Sequence, residues 1–452
     1  MKREHWKSRL GFIWAAVGSA VGLGSIWRFP YIVGESGGAA FVIVYLICLA
    51  LVGFPVLIAE ILIGRKAQSS PSGAYSSISR SKIWGFVGKL TVVTGFLISS
   101  FYGVIAGWTF GYLIEAIRGN LNHFASADEV LAYFNGLTQS TIWALSYFFL
   151  FMIICFYIVY TGVRRGIEAA NKILMPLLFF VLLALVFKGL SMPEAGKGIA
   201  FLFKPDFSVL TPTAILVALG QAFFALSLGQ GTMVTYGSYL TEKENIPTTC
   251  FPVTIFGTVV SLLAGIAIFP IVFGVGLEPS SGVGLMFKTL PMVFSQIPGG
   301  YFLAILFFLL IFLAGLTSQI SALEPMISYL IDEKKFKRHK AALATAAASF
   351  LVGIPSALSF GILKDITFHG NTFFDILSFL CINIFVPLGG LAAVLLVGWR
   401  WGIPKAFNHL RVGTAGLFER IPFVEKYLAF GIKYLAPLII VFILLDLIGI
   451  FK

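Results

Sequence analysis

A chain of 452 residues, 58% of them hydrophobic and only 12% charged, lies far from the roughly 25% charged residues of soluble domains and is not an ordinary soluble protein. Its net charge of +12 would suit nucleic acid, but the basic residues gather in short stretches between apolar runs, which marks a polytopic membrane protein and excludes that partner. Cys48, Cys155, Cys250 and Cys381 lack CxxC or metal-ligand spacing and read as small core residues rather than a disulfide frame.

Runs of about 20 apolar residues predict an all-α chain with spans near 11–36, 39–64, 84–117, 142–161, 168–190, 211–240, 247–276, 299–331, 341–361, 371–399 and 428–450, eleven in all. The basic stretch before residue 11 leads straight into the first span without a small-residue cleavage site, so it is not expected to be a removed leader. That first span, GFIWAAVGSAVGLGSIWRFP over 11–30, carries Gly18, Gly22 and Gly24 at its centre, where each glycine costs a helix roughly 1 kcal/mol. It is expected to break. An unwound turn is tolerated inside hydrocarbon only where protein or a watery cavity meets its free N–H and C=O groups. The sixth span is interrupted in the same way by SLGQG over 227–231.

Five spans follow from each broken one, as in an inverted repeat of five plus five with discontinuous helices 1 and 6. The repeats are expected over about 9–190 and 211–400 of a single transmembrane domain covering 1–452, with one added helix near 428–450. Basic residues recur in every second connection: Arg3, Lys7 and Arg9; Arg65, Lys66, Arg80 and Lys82; Arg164 and Arg165; Lys334 to Arg338; and Arg400, Lys405 and Arg411. The positive-inside rule then predicts a multi-pass protein of the plasma (inner) membrane with a cytoplasmic N-terminus and an external C-terminus. Longer connections around 119–141, 191–210 and 277–298 fall on the other side. An enzyme is not expected, because no HExxH, GxSxG or catalytic acid pair occurs, and His5, His123, His339, His369 and His409 all lie in connections or at span ends.

RxxW at 3–6, GSAVGLGSIWRFPY at 18–31, FFALSLGQG at 223–231, TYGSYL at 235–240 and AGLTSQISALEPM at 314–326 resemble the neurotransmitter:sodium symporter family, in its bacterial amino-acid transporter type. The resemblance spans nearly the whole chain. It implies a sodium-coupled symporter that imports a neutral amino acid, hydrophobic or moderately polar, by alternating access. The alternatives are proton coupling, or an amino-acid sensor without flux. Besides the amino acid and the bilayer no partner is implied, and the chain is a monomer or dimer.

A buried zwitterion needs donors for its carboxylate and acceptors for its ammonium. The half-helix beginning near Leu23, Gly24 and Ser25 offers a positive end, and the carbonyls of Ala20, Phe224, Ala225 and Ser227 offer the acceptors. The resemblance adds the Tyr102 hydroxyl to the carboxylate and gives side-chain selectivity to Ile98, Tyr102, Phe224, Ser227, Gln230, Ser318 and Ala322. Gln230 is unusual, because a buried amide wants a partner.

By the same resemblance a sodium site, the family's second, maps onto Gly18, Val21, Ala314, Thr317 and Ser318, although the two hydroxyls could instead bond back to their own helix. The first sodium site keeps Ala20, Ser25 and Ala225 but loses side-chain oxygens at Ala225 and Gly257, so it is expected to be weak. Chloride dependence is not expected either: Tyr45, Gln221 and Ser261 fit its pattern, whereas Ala225 and Gly257 do not. The external gate maps onto Arg28 and Asp375, read as charges within the membrane, with Gln221 bridging between them and a lid of Tyr102 and Phe224 beneath. The internal gate maps onto Arg3, Trp6, Ser238, Tyr239 and Asp332. Glu324, beside Pro325, receives no role.

Overall fold

Within hydrocarbon every backbone N–H and C=O must be satisfied inside its own segment, so long apolar runs fold as helices. The computed structural model describes residues 3–193, 195–274, 284–447 and 449. Its spans 1 to 5 are Arg9–Ala20 with Gly24–Glu35, Ala39–Ala67, Lys82–Ile117, Thr141–Tyr160 and Val163–Leu190. Span 6 consists of Pro212–Ala225 and, after a gap, Thr232–Gly237. Spans 7 to 11 are Ile246–Gly274, Gly300–Asp332, Arg338–Leu358, Phe373–Leu410 and Pro422–Leu447. Among the described residues nine helices are long and apolar enough to cross a membrane alone, and the two halves of span 1, bent by 51°, make a tenth. The two pieces of span 6 bring the crossings to the predicted eleven.

Several bounds differ from those the sequence suggests: span 5 begins at Val163 rather than 168, span 9 runs Arg338–Leu358 rather than 341–361, span 11 begins at Pro422 rather than 428, and spans 6 and 10 end elsewhere. The second piece of span 6 stops at Gly237 instead of continuing to residue 240, because the chain tightens into turns in which Tyr239 N–H reaches Tyr236 and Leu240 N–H reaches Gly237. Span 10 runs on from 399 to Leu410 by turning at Gly402 (φ +85°) into Ile403–Leu410, which buries Ala406, Phe407 and Leu410 and exposes Lys405. A count of apolar residues sees neither turn. The predicted connection over 277–298 lies outside the described residues as far as 283, as do the expected span ends at 275–276, 448 and 450.

Hydrogen bonds sort the connections onto two faces. On one, the N-terminal arm meets the end of span 8 through Arg3 and Asp332, and the start of span 5 through Glu4, whose carboxylate accepts Val163 N–H at 2.7 Å. Arg65, fully buried at the end of span 2, donates to the carbonyls of Glu244, His409 and Val412 and so ties three connections of this face together. On the other face Ser295 joins the connections after spans 3 and 7, with Phe124 N–H donating to it at 3.2 Å. Alternate connections thus lie together, as eleven crossings require.

Span 8 packs along span 3, and the first half of span 1 packs against spans 5, 7 and 8. The first piece of span 6 lies against spans 2 and 10, and its second piece against spans 2 and 8. Both interruptions are therefore enclosed by protein.

Candidate functional site

Breaking span 1 strands backbone groups, and their partners build the site. Ala20 is the last helical residue before Val21 leaves the helix (φ −91°, ψ 69°). Three carbonyls ahead of the break are each met by a hydroxyl from elsewhere: Ser318 Oγ donates to Gly18 at 3.4 Å and Ser19 at 3.1 Å, Ser227 Oγ donates to Ser19 at 2.9 Å, and Ser25 Oγ donates to Ala20 at 2.9 Å. Beyond the break, Leu23 N–H donates to Tyr102 Oη at 3.1 Å and Gly24 C=O accepts Gln221 Nε2 at 2.8 Å. Gly22 has no room for a side chain, since a Cβ would stand 2.2 Å from Ser318 Oγ.

The break in span 6 is shaped by left-handed backbone and a buried acid. Ser227 (φ +53°), Gly229 (φ +75°) and Gly231 (φ +77°) all take left-handed conformations, and for the serine this costs of order 1–3 kcal/mol. Gly229 is required twice over, because a Cβ there would also lie 1.9 Å from Val386 C=O. Its N–H donates at 2.7 Å to Glu60 Oε1, a buried carboxylate of span 2 whose other oxygen has no partner among the described residues. Glu60 is absent from the sequence reading, although a single acid inside the apolar run 54–64 is the signal that should have marked it. Ser19 and Ser321 were missed as well. Their hydroxyls, 2.7 Å apart, extend the contact between Ser19 and Ser227 (3.0 Å) and link both breaks to span 8.

Between the breaks lies a cavity of about 30 Å³. Ala20 and Gly24 line it from span 1, Ile98 and Tyr102 from span 3, Phe224, Ser227 and Gln230 from span 6, and Ser318 and Ala322 from span 8. Nine of the eleven residues expected at the substrate therefore meet there; Leu23 serves through its N–H, and Ala225 is buried outside the lining. At roughly 10–15 Å³ per water the space holds about two waters and no amino acid, so the walls must part to admit one. The Gln230 amide, 9% exposed, faces this space without a hydrogen bond to any described residue.

The residues expected at the second sodium site divide. Ser318 crosses to span 1, while Thr317 Oγ1 donates back within its own helix to Leu313 at 3.2 Å and Ala314 at 3.1 Å. Gly18, Val21, Ala314 and Thr317 are all buried. Hydroxyls and helix-end carbonyls are neutral oxygen donors, which suit a hard monovalent cation, and among the described residues no group of three or more His, Cys, Asp or Glu could hold another metal. At the first site the Ser25 hydroxyl donates to Ala20 C=O, and Gly257 brings no side-chain oxygen; a Cβ there would make ordinary contact, 3.8 Å, with the Ala20 methyl. Of the chloride-pattern residues, Ser261 donates to Gly257 C=O at 3.0 Å, and Gln221 is held between Gly24 and Arg28.

The two mouths differ. At the inner one Arg3 contacts Asp332 and Ser238 and lies 4.7 Å over the Tyr239 ring, while Trp6 Nε1 donates to Tyr236 C=O at 3.0 Å. Glu324, buried just beneath, accepts Tyr239 Oη at 2.6 Å and a two-pronged contact from Arg338 at 2.8 Å. At the outer mouth Arg28 donates to Gln221 at 2.7 Å and lies 5.3 Å over the Phe224 ring. Asp375 departs from expectation. It is exposed, caps the start of its own span with Thr372, and faces Arg28 across a vestibule of about 570 Å³ without pairing to it.

Two interrupted helices around an enclosed cavity of mixed polar and apolar lining, within a bundle of spans and between two mouths built from charged and aromatic residues, define a membrane transporter. The chain belongs to the sodium:neurotransmitter symporter family, whose pattern matches residues 3–133 and 127–452. It is 38% identical over 450 residues to YhdH, an uncharacterised sodium-dependent transporter of Bacillus subtilis, covering 99% of this chain and 98% of that one. An uncharacterised sodium-dependent transporter of Haemophilus influenzae is 35% identical over 457 residues, with 98% of each covered. The crystal structure of MhsT in complex with L-phenylalanine superposes with a TM-score of 0.90 at 43% identity, over 98% of this chain and all of that one. The fold is accordingly the inverted repeat of five plus five spans, and the activity is sodium-coupled symport by alternating access, without catalysis of a reaction.

Proposed function

We propose that this chain, as a single transporter domain with repeats over 9–190 and 211–400 and an added helix near 428–450, carries a neutral amino acid into the cell on one sodium ion. The N-terminus is cytoplasmic and the C-terminus external, a reading supported by the basic residues of the face that holds Arg3, Arg65 and Arg400. The observation that carries the substrate class is the pairing of Leu23 N–H with Tyr102 Oη at the positive end of a half-helix, 3.1 Å apart. Here the N–H is spent on the tyrosine oxygen; turned to a ligand together with the Tyr102 O–H, it fits a carboxylate. The neighbour crystallised with L-phenylalanine favours the same class. The unpartnered Gln230 amide favours a side chain of moderate size that carries a polar atom.

Sodium binds at Gly18, Val21, Ala314, Thr317 and Ser318, with Thr317 turning from its own helix to the ion. The first site, at Ala20, Ser25 and Ala225, is weak because Ala225 and Gly257 bring no side-chain oxygen and leave Ser25 as its one hydroxyl, and chloride is not required. One ion suffices: it yields about 2.3 kcal/mol across 100 mV and about 1.4 more from a tenfold gradient, enough for roughly 500-fold accumulation. Asp375 closes the outer mouth by reaching Arg28 once substrate is bound, and the Arg3–Asp332 contact then opens.

Uptake of labelled neutral amino acids into proteoliposomes, with sodium or potassium outside, tests this. Saturable uptake that needs sodium, with a Hill slope near one, is the expected result. A slope near two would mean that the first site works. Uptake driven by a proton gradient in potassium would overturn sodium coupling, and binding without flux would overturn transport.

A further inference from the structure

On the face that carries Arg3, one pocket has no part in the transport path. Its walls are the end of span 2 (Lys66 and Ala67), the C-terminal end of the short helix Pro71–Ser79 with Arg80, and the Gly402 turn of span 10 (Arg400, Trp401 and Lys405). Its volume is about 550 Å³, and it is lined by four cations and no acid. Arg400 is fixed in place: Nε and Nη2 donate to Ser79 C=O at 3.1 and 2.8 Å, satisfying the end of that helix where a cation is favoured. The side chains of Lys66, Arg80 and Lys405 make no hydrogen bond or ion pair with any described residue. A neighbouring pocket on the other side of the same helix holds Lys82 and Lys89 but includes Glu333. Only the first concentrates uncompensated positive charge.

We propose that this pocket binds the phosphodiester headgroup of an anionic phospholipid. Four like charges converging on one cavity repel one another unless an anion enters, and basic pockets between spans at the membrane surface suit lipid headgroups. The pocket lies at the end of span 2 and the Gly402 turn of span 10, where apolar sequence gives way to basic residues as expected at headgroup level, and half-buried Trp401 in its wall is the residue type that anchors there. A diffusible phosphate offers the same charge but lacks acyl chains to lie along the lipid-facing sides of these spans. The bound lipid joins span 2, next to the broken pair, to span 10, which carries Asp375.

The test is native mass spectrometry of the full-length transporter, purified and titrated with phosphatidylglycerol or phosphatidylcholine. Each cation near an anionic surface contributes about fivefold in affinity, so with screening the variant K66Q/R80Q/K405Q is expected to bind phosphatidylglycerol at least about tenfold more weakly. The exposed single variant K405Q, which leaves the helix cap alone, should lose about fivefold on the same basis. The control K82Q/K89Q, drawn from the pocket that holds Glu333, should lose little. Equal losses in the control and the triple variant would overturn the site in favour of diffuse surface potential. Unchanged binding in the triple variant, or equal retention of phosphatidylcholine, would overturn it too. Displacement of the lipid by inorganic phosphate at matched ionic strength would show that the occupant is a soluble anion.

Discussion

At the inner mouth Arg3 reaches Asp332 and Ser238, whereas at the outer mouth Arg28 reaches Gln221 while Asp375 caps its own helix. The parts are alike. Each arginine lies over an aromatic ring in or beside span 6, Tyr239 just past its second piece and Phe224 in its first, at distances typical of cation–π contact. The difference lies in what else engages the acid. Asp332 also accepts Ser70 N–H at 2.6 Å, so its second partner holds it toward Arg3. The second partners of Asp375, the Thr372 hydroxyl and N–H, hold it away from Arg28. The chain is therefore latched at its inner mouth and open at its outer vestibule, with the substrate cavity beneath closed down to about 30 Å³, and the state can be shifted by changing either acid.

Asp332→Ala should have the largest effect. Arg3 and Asp332 are only 13% and 20% exposed, so their contact lies between a surface pair and a fully buried one, about 1–3 kcal/mol. A loss of about 2 kcal/mol shifts a two-state balance roughly 30-fold, so uptake should fall by more than about tenfold. A cysteine placed at Ala322 in the cavity wall should then react from the inner side with an impermeant thiol reagent. Unchanged labelling would mean that the Glu324–Arg338–Tyr239 contacts hold the mouth alone.

Asp375→Asn should act differently, because nothing in the outward-facing state depends on an ion pair there. Binding should hardly change, while turnover should fall about fivefold as closure loses a contact worth roughly 1 kcal/mol. Loss of the helix cap costs a similar amount, so Thr372→Val, which removes the hydroxyl of the cap but leaves the acid, is the control. If both variants slow uptake equally, Asp375 is only a cap.

Much of this was legible in the sequence because breaking a helix inside a membrane demands particular residues. Glycines at 18, 22, 24, 229 and 231 and the flanking serines located both interruptions, and the residues that answer them fell at the expected spans. What stayed hidden were the partners supplied across the fold. Glu60 looks like one acid in span 2 until Gly229 N–H is found against it, and Glu324 has no meaning without Arg338, which begins the next span. Asp375 was misplaced because apolar counting cannot tell a charge inside the membrane from one capping a helix start beside a vestibule.

The smallest and most discriminating change is Gln221→Leu. Gln221 was read as the bridge between Arg28 and Asp375, but its oxygen accepts Arg28 and its nitrogen donates to Gly24 C=O, tying the arginine to the break in span 1 and away from the acid. Leucine frees the guanidinium to cross the vestibule but leaves the Gly24 carbonyl short of a donor. The freed charge favours closure, and the lost hydrogen bonds loosen the half-helix that receives the carboxylate; each effect is worth about 1–2 kcal/mol, so they largely cancel. If restraint of Arg28 outweighs support of Gly24, apparent substrate affinity rises about threefold, a net shift near 0.7 kcal/mol. Equilibrium binding of the transported amino acid, measured in saturating sodium, reads this directly. A fall in affinity would make Gln221 a prop of the cradle, and the open outer mouth would then rest on the Thr372 cap alone.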